Sequence, residues 1–250
     1  GLSTAFIIPL ITFFLLRQKL GMYNAGAVAA AYGSVSAVTF VTAVNYLELQ
    51  GLPMHGHLVA VMAMMEAPAI IMGLLLISIF NTDRSKKISK RHAIRHSFTN
   101  GSVFLIVGSL LIGFLTNDLQ ADGIKPFTND LFKGFLVIFL LDMGITSGKN
   151  LKGFLKGGLT PLVFAILMPL VMGSILAVLT GWVTGDPSDR FILAVLGASA
   201  SYIAVPAAMK MAVPQANPGL YLPMALAVTF PINITLGLPL FYSLISGVVV

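Results

Sequence analysis

The sequence contains no cysteine, and only 10% of its 250 residues are charged. The first absence excludes disulfides, thiolate metal sites and a cysteine nucleophile. The second places the chain far from soluble domains, in which roughly 25% of residues are charged. With 57% hydrophobic residues and a mean hydropathy of +0.93, the chain has more apolar surface than a soluble core of this length would bury. A lipid bilayer is the solvent that suits it. No P-loop, Ser–His–Asp arrangement or pair of catalytic carboxylates is visible, so no residue pattern argues for an enzyme. The net charge of +6 does not indicate nucleic-acid binding, because the basic residues fall in short loops between apolar runs. That distribution is how membrane proteins set their orientation.

A helix crossing the roughly 30 Å hydrocarbon core needs about 20 mostly apolar residues. Eight runs qualify: 2–16, 25–47, 57–80, 101–116, 131–147, 159–181, 190–212 and 219–247. The first starts directly after Gly1 with no basic stretch ahead of it, unlike a signal peptide. Connections bearing Arg17 and Lys19, then Arg84 to Arg95, then Lys149, Lys152 and Lys156, then Lys210, alternate with acidic ones. The acidic connections carry Glu48, then Asp118, Asp122 and Asp130, then Asp186 and Asp189. The positive-inside rule then predicts a multi-pass protein of the bacterial inner membrane, with loop 81–99 cytoplasmic and the C-terminus outside. Loop 81–99 carries the densest charge and reads as a linker between 1–80 and 100–250.

These two parts share a pattern. The run 2–16, with Pro9, resembles 159–171, with Pro169. Each is followed by a glycine- and serine-rich span, then by a span with a proline after a polar residue, MMEAPAI at 64–70 and VTFPINI at 228–234. Five spans separate the starts of the two copies, and an odd number inverts one relative to the other. Inverted repeats are common among secondary transporters. The expected fold is therefore an all-α polytopic membrane protein with a five-plus-five inverted repeat. Region 1–80 supplies three helices of the first repeat and 100–250 supplies the second, with two helices expected ahead of Gly1.

The glycine- and serine-rich spans are the candidate site. Gly33-Ser34-Val35-Ser36 and Gly197-Ala198-Ser199-Ala200-Ser201 combine weak helix formers with hydroxyls. Unwound backbone at membrane depth is tolerated only where it lines a cavity or a site. Two half-helix N-termini meeting there would suit a small anion, and opposing carbonyls a cation. Close packing of small residues is the alternative. Glu66 lies deep in its span, and an intramembrane carboxylate is by default a functional group that ligates Na+ or carries a proton. Its repeat counterparts are Thr229 and Asn233, flanking Pro231. Asp142 lies near a span end, where an interfacial role is at least as apt. His55 and His57 form an HxH pair with no carboxylate or cysteine cluster nearby in sequence, so a metal site is not expected there. His92 and His96 belong to the basic loop.

The segments YGSVSAVTFVTAVNYLE (32–48) and GASASYIAVPAAMKMAVPQANPGLY (197–221) resemble the two crossover helices of the sodium-dependent bicarbonate transporters first known from cyanobacteria. MMEAPAI and TFPINITLGLPLF resemble the helices that follow them, and the resemblance covers nearly the whole chain. It implies Na+-coupled symport of bicarbonate held between two broken helices. Carried over by position, the anion would meet Gly33, Ser34, Ser36, Gly197, Ala198, Ser199 and Ser201. Tyr202 stands where the cyanobacterial pattern has an aspartate. Na+ would use oxygens at Thr39, Glu66, Thr229 and Asn233, with Glu66 replacing an aspartate. The resemblance also implies a PII-like regulator on the cytoplasmic face, with a homo-oligomer an open option. Another small carboxylate as substrate, a membrane sensor or scaffold, and a channel are the competing readings.

Overall fold

A computed structural model describes residues 1–81, 108–109, 111–155 and 158–247, among which every regular element is helical. The first, α1 (Leu2–Leu20), is apolar throughout with Pro9 inside it, and ends at Gly21, whose φ of 77° is a conformation glycine adopts without penalty. It is followed by α2 (Met22–Gly33), α3 (Ala37–Leu49) and α4 (His57–Phe80), the last with Pro68 inside. After the segment that begins at 82 come α5 (Asp118–Lys125), opened by an Asn117–Gln120 capping box, and α6 (Phe132–Leu155).

The rest of the chain holds α7 (Leu159–Leu179), α8 (Pro187–Ala198), α9 (Ala204–Ala212) and α10 (Pro218–Ser246). Asp186 caps α8 and Asn217 caps α10, each with proline in the first turn, where the missing N–H costs nothing. Inside α10 the turns widen at Met224–Thr229 and Asn233–Gly237, on either side of Pro231. Proline removes one hydrogen bond and crowds the carbonyl a turn earlier, and wide turns relieve that crowding.

Among the described residues, five helical stretches are long and apolar enough to cross a membrane: Leu2–Leu20, Met22–Leu49, His57–Phe80, Leu159–Trp182 and Pro218–Ser246. The chain is a multi-pass membrane protein. All but the first residue of expected span 131–147 lies in α6, where Leu136 and Phe154 are buried but most other described side chains are exposed. Expected span 190–212 forms as α8 and α9 with an interruption between them. Half of span 101–116, and almost all of loop 81–99, lies outside the described residues.

Two three-helix groups position the site. In one, α2 packs against α1 and α4; in the other, α8 packs against α7 and α10. Residues 25–33 of α2 are all buried, which an apolar helix surrounded by protein should show. Lipid supplies little hydrophobic force between helices, so close approach of small residues holds such groups together. At the α2–α4 crossing, a Cβ on Gly73 would stand 2.7 Å from Ala30 Cβ and 2.8 Å from the Gly26 carbonyl. Leu15, Ile79, Leu159 and Trp182 are exposed on the outside, where lipid would cover them.

Candidate functional site

Both glycine- and serine-rich segments are interrupted helices. Residues 34–36 leave helical geometry between α2 and α3, with Ser34 and Ser36 extended. Residues 199–203 do the same between α8 and α9. Ser36 caps α3, its Oγ accepting from Thr39 N–H at 3.1 Å; α9 has Ile203 at its cap position, and Ser201 Oγ, two residues earlier, accepts from Val205 N–H at 3.3 Å.

The two breaks are also joined to each other. The Ser36 N–H donates to Ser199 Oγ at 3.2 Å, and the Ser201 N–H donates to the Ala31 carbonyl at 2.8 Å. Backbone groups freed by each break are thus partly satisfied by the other segment, as burial at membrane depth demands. Each break also leans on its own group: a Cβ on Gly33 would collide with the Pro9 ring, and one on Gly197 with Leu176.

Between the breaks lies a cavity of about 70 Å³ lined by Ser36, Ala37, Glu66, Ser201, Tyr202 and Ile203, with Val35, Met62 and Ala204 completing the wall. A water takes up about 10–15 Å³ on this measure, so the space fits a few water-sized groups, the scale of a small oxyanion. The first turns of α3 and α9 open onto it, and the Ala37 and Ala204 amides donate no hydrogen bond among the described residues. Helix N-termini favour negative charge. The hydroxyls of Ser36 and Ser201 accept amide bonds and keep their own protons to donate. Tyr202, edge-on to Phe230, buries its hydroxyl beside Ser36.

Glu66 reaches the same cavity from α4. Its side chain is 6% exposed and has no hydrogen-bond or ion-pair partner among the described residues. Its carboxyl group opens onto the cavity, so whatever fills that space is its partner. Among the described residues the cavity thus combines anion-seeking donors with one cation-seeking carboxyl group.

The other expected site residues divide by location. Gly33, Gly197 and Ala198 do not line the cavity; the glycines allow close packing, and the Ala198 carbonyl accepts from Asn233 Nδ2 at 2.9 Å. Ser34 is fully buried, with no partner for its hydroxyl. Thr39 is buried one turn into α3. Thr229 is committed elsewhere: its hydroxyl donates to the Ala165 carbonyl at 2.7 Å and lies 2.6 Å from the Tyr32 hydroxyl, which must then be the donor between them. Asn233 Oδ1 is buried with no donor. So the fold gathers Ser36, Ser201, Tyr202 and Glu66 around one space, and holds Asn233 against the end of α8. Asp142 is exposed on α6.

One cluster was not visible in the sequence. Asp186 and Asp189, at the start of α8, come to lie beside His55 and His57. His55 Nδ1 is 2.8 Å from Asp189 Oδ1, a hydrogen bond that raises the pKa of this imidazole above its usual value. No proximity in sequence signals this pairing of residues 134 positions apart.

The family model of the Na+-dependent bicarbonate transporter superfamily matches residues 1–246. No curated protein matches the chain.

Proposed function

The chain belongs to the Na+-dependent bicarbonate transporter superfamily, and from that membership we propose that it is a Na+-coupled symporter whose anion, bicarbonate foremost, binds between the two helix breaks. The observation that carries this reading is the buried, unpartnered Glu66 in the same small cavity as the α3 and α9 N-termini. Ser36, Ser201 and Tyr202 offer hydroxyl donors to the anion, and the amides at the head of each restart offer more.

Coupling follows from charge. An anion and a carboxylate about 4 Å apart repel by about 4 kcal/mol at an effective dielectric constant near 20. A cation between them turns that repulsion into two attractions, so the anion binds well only together with the cation. Glu66, with Thr39 on α3, is the proposed Na+ position on the α4 side. Asn233 Oδ1, buried without a donor, is the proposed ligand on the α10 side, with Thr229 contributing only if its bonds to Tyr32 and Ala165 rearrange.

The proposed topology is a five-plus-five inverted repeat in the inner membrane, with loop 81–99 cytoplasmic and the C-terminus outside. A PII-like regulator would meet that loop; both this partner and a homo-oligomer are proposals on family grounds. A second substrate reading, a different small carboxylate, is favoured by the apolar part of the wall: Val35, Met62, Ile203 and Ala204 would suit a short alkyl tail.

The experiment is uptake of labelled bicarbonate by full-length protein in proteoliposomes, with and without an inward Na+ gradient, and with acetate or formate as competitors. Na+-dependent uptake resisting both competitors supports the first reading, and uptake abolished by them supports the second. Binding without flux would indicate a sensor, and flux indifferent to Na+ a channel.

A further inference from the structure

The end of the bundle remote from Arg17 carries a group of side chains that the transport reading does not use. Arg17 sits at the C-terminal end of α1, over the rings of Phe14 and Phe80, and Phe80 ends α4. His57 begins α4 and is therefore at its other end, with His55 two residues before. There His55 Nδ1 lies 2.8 Å from Asp189 Oδ1 and 3.9 Å from Asp186 Oδ1, and His57 Nε2 lies 3.4 Å from Asp189 Oδ2.

We propose that His55, Asp186 and Asp189 bind a divalent transition-metal ion of the Zn2+ class, with His57 held against the outer oxygen of Asp189. Ligand atoms placed tetrahedrally about 2.0–2.2 Å from zinc are about 3.3–3.6 Å apart, and the 2.8 and 3.9 Å from His55 Nδ1 to the two carboxylates bracket that spacing; the ion would take the place of the proton that His55 and Asp189 share. Imidazole and carboxylate donors together select zinc-like ions over calcium or magnesium.

Beyond its own histidines the cluster has no compensating cation among the described residues. Two carboxylates converge here, and among the described residues no lysine or arginine pairs with either. Arg190, the residue next to Asp189, turns away and donates from its guanidinium to the Ala177 carbonyl at 2.8 Å. Asp186 is held in place by the Ser188 and Asp189 amides, at 2.8 and 3.1 Å. Such outer hydrogen bonds orient a ligating carboxylate and leave it lone pairs to coordinate with.

A metal there would tie the segment entering α4 to the start of α8. The first of these helices carries Glu66 and the second runs into the break at 199–203, so occupancy would couple to the cavity mechanically.

The test is Zn2+ titration by calorimetry, with Co2+ absorption as a coordination readout, on the full-length protein after removal of any histidine tag. One equivalent per chain is expected, with affinity falling at least about ten-fold in His55→Ala and in Asp189→Asn. His57→Ala is expected to weaken binding less than either. Monodisperse elution and an unchanged melting temperature without metal show that these positions tolerate substitution. If Asp189→Asn fails that control, Asp186→Asn takes its place. Less than one equivalent in the wild type, undiminished binding in His55→Ala, or loss only in a His92→Ala/His96→Ala variant would overturn the site and leave a plain His–Asp hydrogen bond.

Discussion

The backbone N–H of Ser36 donates to the hydroxyl of Ser199 at 3.2 Å, linking two helix breaks that lie 163 residues apart. Together with the Ser201–Ala31 bond at 2.8 Å, this contact makes the two interruptions one structural unit. Each break frees backbone groups that lipid cannot solvate, and each relieves part of the other's deficit.

Ser199→Ala should therefore destabilise the protein by about 1–3 kcal/mol, because it leaves a buried N–H at Ser36 without an acceptor. Ser199 is not on the cavity wall, so the KM for the anion should move little in protein that remains folded. Thermal unfolding in detergent beside an uptake assay separates the two effects.

Gly33→Ala and Gly197→Ala each place a methyl group against a packed neighbour, the Pro9 ring in one case and Leu176 in the other. Each is expected to cost about 1–3 kcal/mol by overpacking. Gly56→Ala has open space and ordinary backbone geometry, so it should be near neutral. Melting temperatures of the three variants, measured side by side, check the contrast.

The outline of this architecture was legible from residue chemistry alone. Long apolar runs gave the membrane class, and the serine-rich pair gave the breaks, because both are local properties of the chain. Ser36, Ser201 and Glu66, which line the cavity, stood out in the sequence because polar groups at membrane depth are rare. What stayed hidden depends on distant pairing. Thr229 carries the same oxygen chemistry as Thr39, yet Tyr32 and the Ala165 carbonyl engage it, and neither is near it in sequence. Gly33 and Gly197 read as possible anion contacts, but their missing side chains admit neighbouring helices. His55 had no nearby carboxylate until the fold brought Asp189 to it.

Tyr202→Phe removes one hydroxyl from the cavity wall without changing its shape. Hydrogen bonds to charged groups contribute about 1.5–3 kcal/mol, so the KM for the anion should rise about ten-fold or more. The Na+ concentration for half-maximal uptake should change less. Initial rates over a matrix of anion and Na+ concentrations give both values. A KM that stays put would remove Tyr202 from the binding surface.

Glu66→Gln keeps size and shape and removes the one ionisable carboxyl group among the described residues of the cavity wall. Its effect on Na+-driven uptake of labelled bicarbonate in proteoliposomes tests the central claim most directly. The wild type should concentrate bicarbonate only under an inward Na+ gradient, and the variant should lose that dependence together with at least ten-fold of the driven rate. Na+-driven accumulation at the wild-type rate in a well-folded Glu66→Gln protein would contradict it.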